Sequence, residues 1–141
     1  STRIFPGSGK KNPSKTKSTY IAIIKNRKRE ILLERRPESG IWGGLWSFPE
    51  FDEKNGAETI ILNVMDSANY YCEQLPPKHH HFTHFKLILK PLLFTLIGDN
   101  SRLLENDGRM FFEKKSAKTI GTPKPVADLL NDLWRKNKEN S

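Results

Sequence analysis

The chain has 141 residues, with 24 Lys+Arg against 16 Asp+Glu, a formal net charge of +8 and a sequence pI of about 9.7. That length fits one domain, which hides roughly two-thirds of its unfolded surface and needs no cross-link to stay folded. A single cysteine, Cys72, excludes an internal disulfide and any iron–sulfur or Cys-rich zinc centre built by this chain alone, while the positive balance suits a polyanionic partner.

Residues 1–17, "STRIFPGSGKKNPSKTK", hold five basic residues, no acidic one, two Pro and two Gly. They read as a basic linker or arm. The chain opens at Ser1 without an initiator methionine, so it reads as part of something longer. Tyr20–Ile24 is a short apolar run suited to a buried strand. "NRKR" reads as a turn, and Glu30–Glu34 as the returning strand of a hairpin. An irregular Gly/Trp stretch leads to a short strand around Trp46–Phe48. Ala57, Ile60, Ile61, Val64, Met65, Ala68, Tyr71 and Leu75 recur at helical spacing. They predict an amphipathic helix from about Gly56 to Gln74, ended by Pro76-Pro77.

Leu87 and Leu89 alternate with Lys86 and Lys90, which predicts a strand with one wet face, and Leu92–Ile97 continues it. Lys86, Lys90 and Pro91 break this run, the longest apolar one, so no segment suits a bilayer span. The N-terminus has no secretory pattern, and the chain reads as soluble and intracellular. Arg109–Glu113 reads as a further strand. Val126, Leu129, Leu130, Leu133 and Trp134 define a last helix with Pro125 in its first turn. The expected fold class is α/β (α+β): one mixed sheet covered by helices, over residues 18–136, with a polar tail at 137–141. Cys72 is expected as a buried thiol.

Two stretches can carry chemistry. In "RRPESGIWGGLWSFPEF" the glycines allow tight turns, Trp42 and Trp46 read as scaffold, and Arg35 and Arg36 suit phosphate. "KHHHFTHF" holds all four histidines. Consecutive histidines on a strand cannot face one point, and no carboxylate or cysteine joins them, so no metal site is expected. They read as ordinary loop histidines or as nucleic-acid contacts. No Ser/His/Asp set, Walker loop or Cys-x-x-Cys is present. Asp52, Glu53, Glu58 and Asp66 read as solvated acids.

Three motifs in order, "LLERRPESGIWGGLWSFPEF", "HHFTHFKL" and "IGTPKPVADLLNDL", resemble the C-terminal domain of MutY-type adenine DNA glycosylases. The resemblance runs from about Phe5 to Leu133. It implies a Nudix-like mixed sheet sandwiched by helices that helps recognise 8-oxoguanine mispaired with adenine in double-stranded DNA. It also implies that the catalytic residues and a [4Fe–4S] cluster sit in a separate N-terminal domain in cis, in a bacterial, cytoplasmic and nucleoid-associated enzyme. No catalytic residue, cofactor or metal is then expected on this chain, and no membrane.

By the same resemblance Phe82-Thr83-His84 matches a Phe-Ser-His loop that meets the damaged base. 8-Oxoguanine carries hydrogen at N7 and oxygen at C8. A hydroxyl such as that of Thr83 both accepts and donates, so it fits that edge. Phe82 would pack at the lesion, and His84 would bond a phosphate or brace the loop. Arg35, Arg36 and Lys86 are the candidate backbone contacts. A rival is an active Nudix hydrolase cleaving 8-oxo-dGTP. It needs Arg-Glu-x-x-Glu-Glu on one helix to hold Mg²⁺, and the run "NYYCEQL", taken as the end of that helix, offers only Glu73. A second rival is a protein-interaction module docking through an exposed Trp42 or Trp46.

Overall fold

The computed structural model describes residues 15–52, 56, 70–98 and 101–139. The apolar run Tyr20–Ile24 lies inside β1 (Lys15–Lys25), which takes in the last three residues of the expected arm. Ile21, Ala22, Ile23 and Ile24 are all buried. A strand whose side chains alternate can bury every one only if both faces of the sheet are covered. Ile21 and Ile23 join one core cluster with Leu87, Leu89, Val126 and Leu130. Ala22 and Ile24 join the other with Leu92, Phe94, Leu96 and Leu104.

The hairpin is formed as expected. β2 (Ile31–Arg35) returns antiparallel to β1 with Lys25 opposite Ile31. Arg27, Lys28 and Arg29 make its three-residue loop. Arg29 N–H donates to Asn26 O (3.0 Å) and Asn26 N–H to Glu30 O (3.0 Å). Arg29 sits at φ 65, the left-handed position that closes a loop of this length. β3 (Trp46–Ser47) and β8 (Arg109–Phe112) flank β2, and β4 (Glu50–Phe51) pairs with β1.

The long strand β7 (Phe85–Leu96) runs parallel to β1, from Lys15 opposite Phe85 to Lys25 opposite Thr95. On its other side lie β5 (Tyr70–Gln74) and β6 (Lys78–His81), both antiparallel. Pro91 occupies the middle of β7 without breaking it. Its carbonyl accepts from Leu75 N–H (3.0 Å), so its missing N–H faces the gap between β5 and β6, where Pro76-Pro77 interrupt the neighbour.

Two expectations need correction. Tyr70–Gln74 is a strand, not the end of a helix. β7 offers Leu92–Leu96 as a pairing partner, and a strand satisfies the backbone of the segment there. The rest of the expected helix lies outside the described residues, apart from Gly56, which is helical. Glu73 therefore belongs to a sheet edge and says nothing about the acids of that helix. Cys72 is exposed, not buried. β5 ends the sheet, and of its five residues only Tyr70 is even half-buried.

α1 (Lys114–Ala117) and α2 (Lys124–Glu139) follow β8. α2 lays Val126 and Leu130 onto the first face, each worth about 2 kcal/mol of burial. Among the described residues no helix is long and apolar enough to cross a membrane. Trp134 on α2 donates Nε1–H to Arg29 O (3.1 Å), tying the helix to the first hairpin turn. Trp134→Phe keeps most of the apolar area and removes this bond. It is expected to lower stability by about 1 kcal/mol, read as a shift in the urea midpoint.

Candidate nucleic-acid interface

The Gly/Trp stretch folds as a tight loop between β2 and β3. Arg36 N–H donates to Leu45 O (2.8 Å), Leu45 N–H to Trp42 O (3.1 Å), and Gly44 N–H is shared between Arg36 O (3.3 Å) and Pro37 O (3.2 Å). Gly40 at φ 99 and Gly44 at φ 77 take conformations that L side chains resist. Trp42 takes one too, at φ 55. For a bulky residue that is strained backbone, and it persists only where neighbours over-determine it.

Those neighbours are visible. Arg36 donates Nε–H to Ile41 O (2.8 Å) and is ion-paired with Glu50. Its guanidinium carbon lies 6.0 Å from the Trp42 ring centroid. Arg36 thus ties the loop together from below and is only 21% exposed. Arg36→Met is expected to cost about 2 kcal/mol of stability, from bonds to a charged group plus the ring contact. A urea titration reads it.

The second stretch forms a hairpin. His81 pairs with Lys86, and Phe82 N–H donates to Phe85 O (2.8 Å), leaving Thr83-His84 as an exposed two-residue tip. Phe82 is half-buried and stacks on Phe85, centroids 4.5 Å apart at 17°. His80 meets Phe82 edge-on at 4.7 Å. Trp42 touches both, at 5.5 Å from Phe82 and 5.7 Å from His80. Lys17 of β1 places Nζ 5.0 Å from the Phe85 centroid. The two stretches, separate in sequence, form one surface: Arg36, Trp42, Phe82, Phe85 and Lys17 in a continuous row of cation and ring contacts.

Strand alternation sorts the remaining residues. Lys78 and His80 share the α2 face of the sheet, and Lys78 Nζ lies 3.7 Å from Asp128 on α2. His79 and His81 point the other way and are exposed. The histidines therefore do not converge, as the spacing implied. Among the described residues no group of three or more His, Cys, Asp or Glu is placed to hold a metal ion. Lys86 alternates with Phe85, so it lies on the opposite face from the aromatic row. Arg35 is exposed at the loop rim, with one guanidinium nitrogen 3.1 Å from Glu38 Oε1. Sequence reasoning overlooked Lys17, which it placed in the arm, and His80 as a packing partner. Only the pairing of Lys15 with Phe85 brings Lys17 to the hairpin.

Trp46 has a different role. Its ring packs edge-on against Phe112 at 5.2 Å, and its backbone N–H donates to Gly121 O (2.9 Å). It is scaffold, joining β3 to the turn before α2.

A family profile described as NUDIX domain matches residues 19–132. The adenine DNA glycosylase of Buchnera aphidicola subsp. Acyrthosiphon pisum (strain APS) is 32% identical over 131 residues, covering 90% of this chain and 36% of the relative. The adenine DNA glycosylase of Buchnera aphidicola subsp. Schizaphis graminum (strain Sg) is 27% identical over 127 residues, covering 89% and 36%. The chain thus spans about a third of the length of the curated relatives it matches. Among solved structures, the C-terminal domain of mouse MUTYH, seen in complex with human PCNA, superposes with a TM-score of 0.63 at 13% identity. That match covers 86% of this chain and 89% of the other. The MutT protein from Methanosarcina mazei Go1 gives 0.62 at 18% identity, covering 89% and 97%. At these identities the structural matches speak for the fold.

Proposed function

This chain belongs to the NUDIX domain family, and we propose that within it the chain serves as the lesion-recognition part of an adenine DNA glycosylase, one that excises adenine opposite 8-oxoguanine. The observation that supports this most is the hairpin tip. Thr83 and His84 stand exposed, while Phe82 behind them is clamped by Trp42, His80 and Phe85. A rigid aromatic base with a polar tip suits a probe that must present one hydroxyl to a base edge.

In this reading Thr83 accepts from N7–H of 8-oxoguanine and donates to its C8 oxygen. Phe82 packs beside the lesion. His84 meets a phosphate or braces the loop. Lys17, exposed beside Phe85, and Arg35 at the loop rim meet the sugar–phosphate backbone. Arg36 supports the surface from within, since its donors already hold Ile41 and Glu50. Lys86 contacts backbone only from the far face of the sheet. The glycosidic chemistry, with its iron–sulfur cluster, is assigned to the two-thirds of the glycosylase that this chain does not span, acting on cytoplasmic bacterial DNA. A pyrophosphohydrolase reading has no residue pattern in its favour, because the sequence contains no Arg-Glu-x-x-Glu-Glu run.

Amide chemical shifts test the proposal. The chain is titrated at fixed salt with matched duplexes carrying 8-oxoguanine·adenine or guanine·adenine. Larger shifts at Phe82–His84 with the lesion are expected. Equal, diffuse shifts in basic residues with both duplexes would remove lesion reading from this chain.

A further inference from the structure

The far end of the sheet carries a feature that lesion reading does not use. The loop of the β1–β2 hairpin is cationic at all three positions, Arg27-Lys28-Arg29, and all three are exposed. Lys28 and Arg29 are presented by a stiff frame. Asn26 is 7% exposed, and its Oδ1 accepts from Lys28 N–H (3.1 Å) and Glu30 N–H (2.9 Å). Its Nδ2 donates to Glu30 Oε1 (2.9 Å), and Trp134 holds Arg29 O. The third loop position is left-handed, φ 65, where glycine or asparagine is the favoured residue. An arginine there keeps a charge at the cost of backbone strain, and such retained strain points to function.

The loop borders a cavity of about 280 Å³ lined by Asn26, Arg27, Lys28, Gly98, Arg102 and Glu105, among others. Its acids are already engaged. Glu30 accepts from Asn26, while Glu105 accepts from Phe111 N–H (2.9 Å) and pairs with Arg102 (3.3 Å). Arg102 remains 79% exposed. The local field is felt nearby: burial first, and Arg29 second, hold the Lys25 ammonium below the usual lysine value. A crowded set of cations around an open cavity suits an anionic group of high charge density.

We propose that the Asn26–Glu30 turn, with Arg102 beside it, is a second phosphate-binding surface that takes the sugar–phosphate backbone of duplex DNA whether or not a lesion is present. It lies at the other end of β1 from Lys17, eight residue steps or about 26 Å along the strand to Lys25. With a formal net charge of +8, the chain carries both cationic ends into the field of one polyanion, which a duplex supplies. The surface does not depend on the lesion reading of the Thr83 tip.

The test is fluorescence anisotropy of the 141-residue chain with an undamaged duplex across a salt series, comparing wild type with Lys28→Ala combined with Arg29→Gly. Affinity is expected to fall about tenfold at low salt, and the slope of log K against log salt to flatten by about two. The ratio of affinities for 8-oxoguanine·adenine and guanine·adenine duplexes stays at the wild-type value. Arg29→Gly alone is expected to raise Tm by about 3 °C, because strain is relieved, so lost binding cannot be lost folding. Unchanged affinity and slope would overturn the proposal. So would amides of Lys28, Gly98 and Phe111 that shift with inorganic pyrophosphate but not with duplex, which would assign the cavity to free phosphates. Thr83→Ala separates the two readings, since it alters the lesion ratio and leaves the slope alone.

Discussion

Gly43→Ala is expected to destabilise the chain by about 3 kcal/mol and to free the Thr83 hairpin from its support. A Cβ at Gly43 would stand 2.1 Å from Glu38 O, 2.8 Å from Glu38 C and 3.2 Å from Pro37 O. All three are backbone atoms, so no rotamer change relieves the clash. The loop has to open, and it is short and closed by its own hydrogen bonds. Gly44 N–H loses Arg36 and Pro37, and Leu45 N–H loses Trp42. Trp42, already in a left-handed conformation, then has nothing holding it against Phe82 and His80. Urea denaturation measures the loss, and the Phe82–Phe85 amides report the released hairpin. Gly108→Ala is the control. Its Cβ would meet only Asn106 Oδ1 at 4.0 Å, and a change under about 0.5 kcal/mol is expected. Equal effects at both glycines would show that the close approach at Gly43 is not what holds the loop.

Thr83→Ala is expected to reduce the preference for an 8-oxoguanine·adenine duplex over a guanine·adenine duplex by about tenfold, close to 1.4 kcal/mol. The exposed tip makes this a clean experiment. Thr83 carries no packing that the fold depends on, so stability should hardly move. The hydroxyl is the only group at that position able to accept from N7–H and donate to the C8 oxygen together. Thr83→Ser keeps the hydroxyl and is expected to retain the preference. Loss of the extra methyl also frees χ1, so a modest change in affinity is compatible with the proposal. Equilibrium anisotropy with the two duplexes gives the ratio. If Thr83→Ala leaves it at the wild-type value, the hydroxyl has no part in lesion reading, although membership of the NUDIX family stands.

Much of the fold was legible because local pattern and burial agree. Tyr20–Ile24 is apolar at every position, and a sheet covered on both faces is the arrangement that buries such a run. Leu129, Leu130 and Leu133 recur at helical spacing because α2 lies along one face of that sheet. The failures share one cause. Tyr71 and Leu75 extend a helical rhythm, yet Tyr70–Gln74 is a strand because β7 presents a free edge at Leu92–Leu96. Backbone pairing with a distant strand outweighs a weak local preference. Cys72 was misread for the same reason, since burial depends on where β5 falls in the sheet, and it falls at the rim.

The amino-acid sequence by itself determined the β1–β2 hairpin, the β7 and β8 strands, the last helix, the basic balance, and the absence of cysteines for a cluster. These are properties of composition and short-range periodicity. Only the tertiary structure decided that Trp42 and His80 brace Phe82, that Lys17 joins them while Lys86 faces away, and that Arg36 is a strut within the loop. The place of Lys17 depends on the parallel register of β1 and β7, that of Lys86 on the face its strand position takes, and the other two on how the Gly/Trp loop closes and meets the β6–β7 hairpin. A one-residue change in register would turn Lys17 to the opposite face from Phe85, and no local pattern in the chain encodes that pairing.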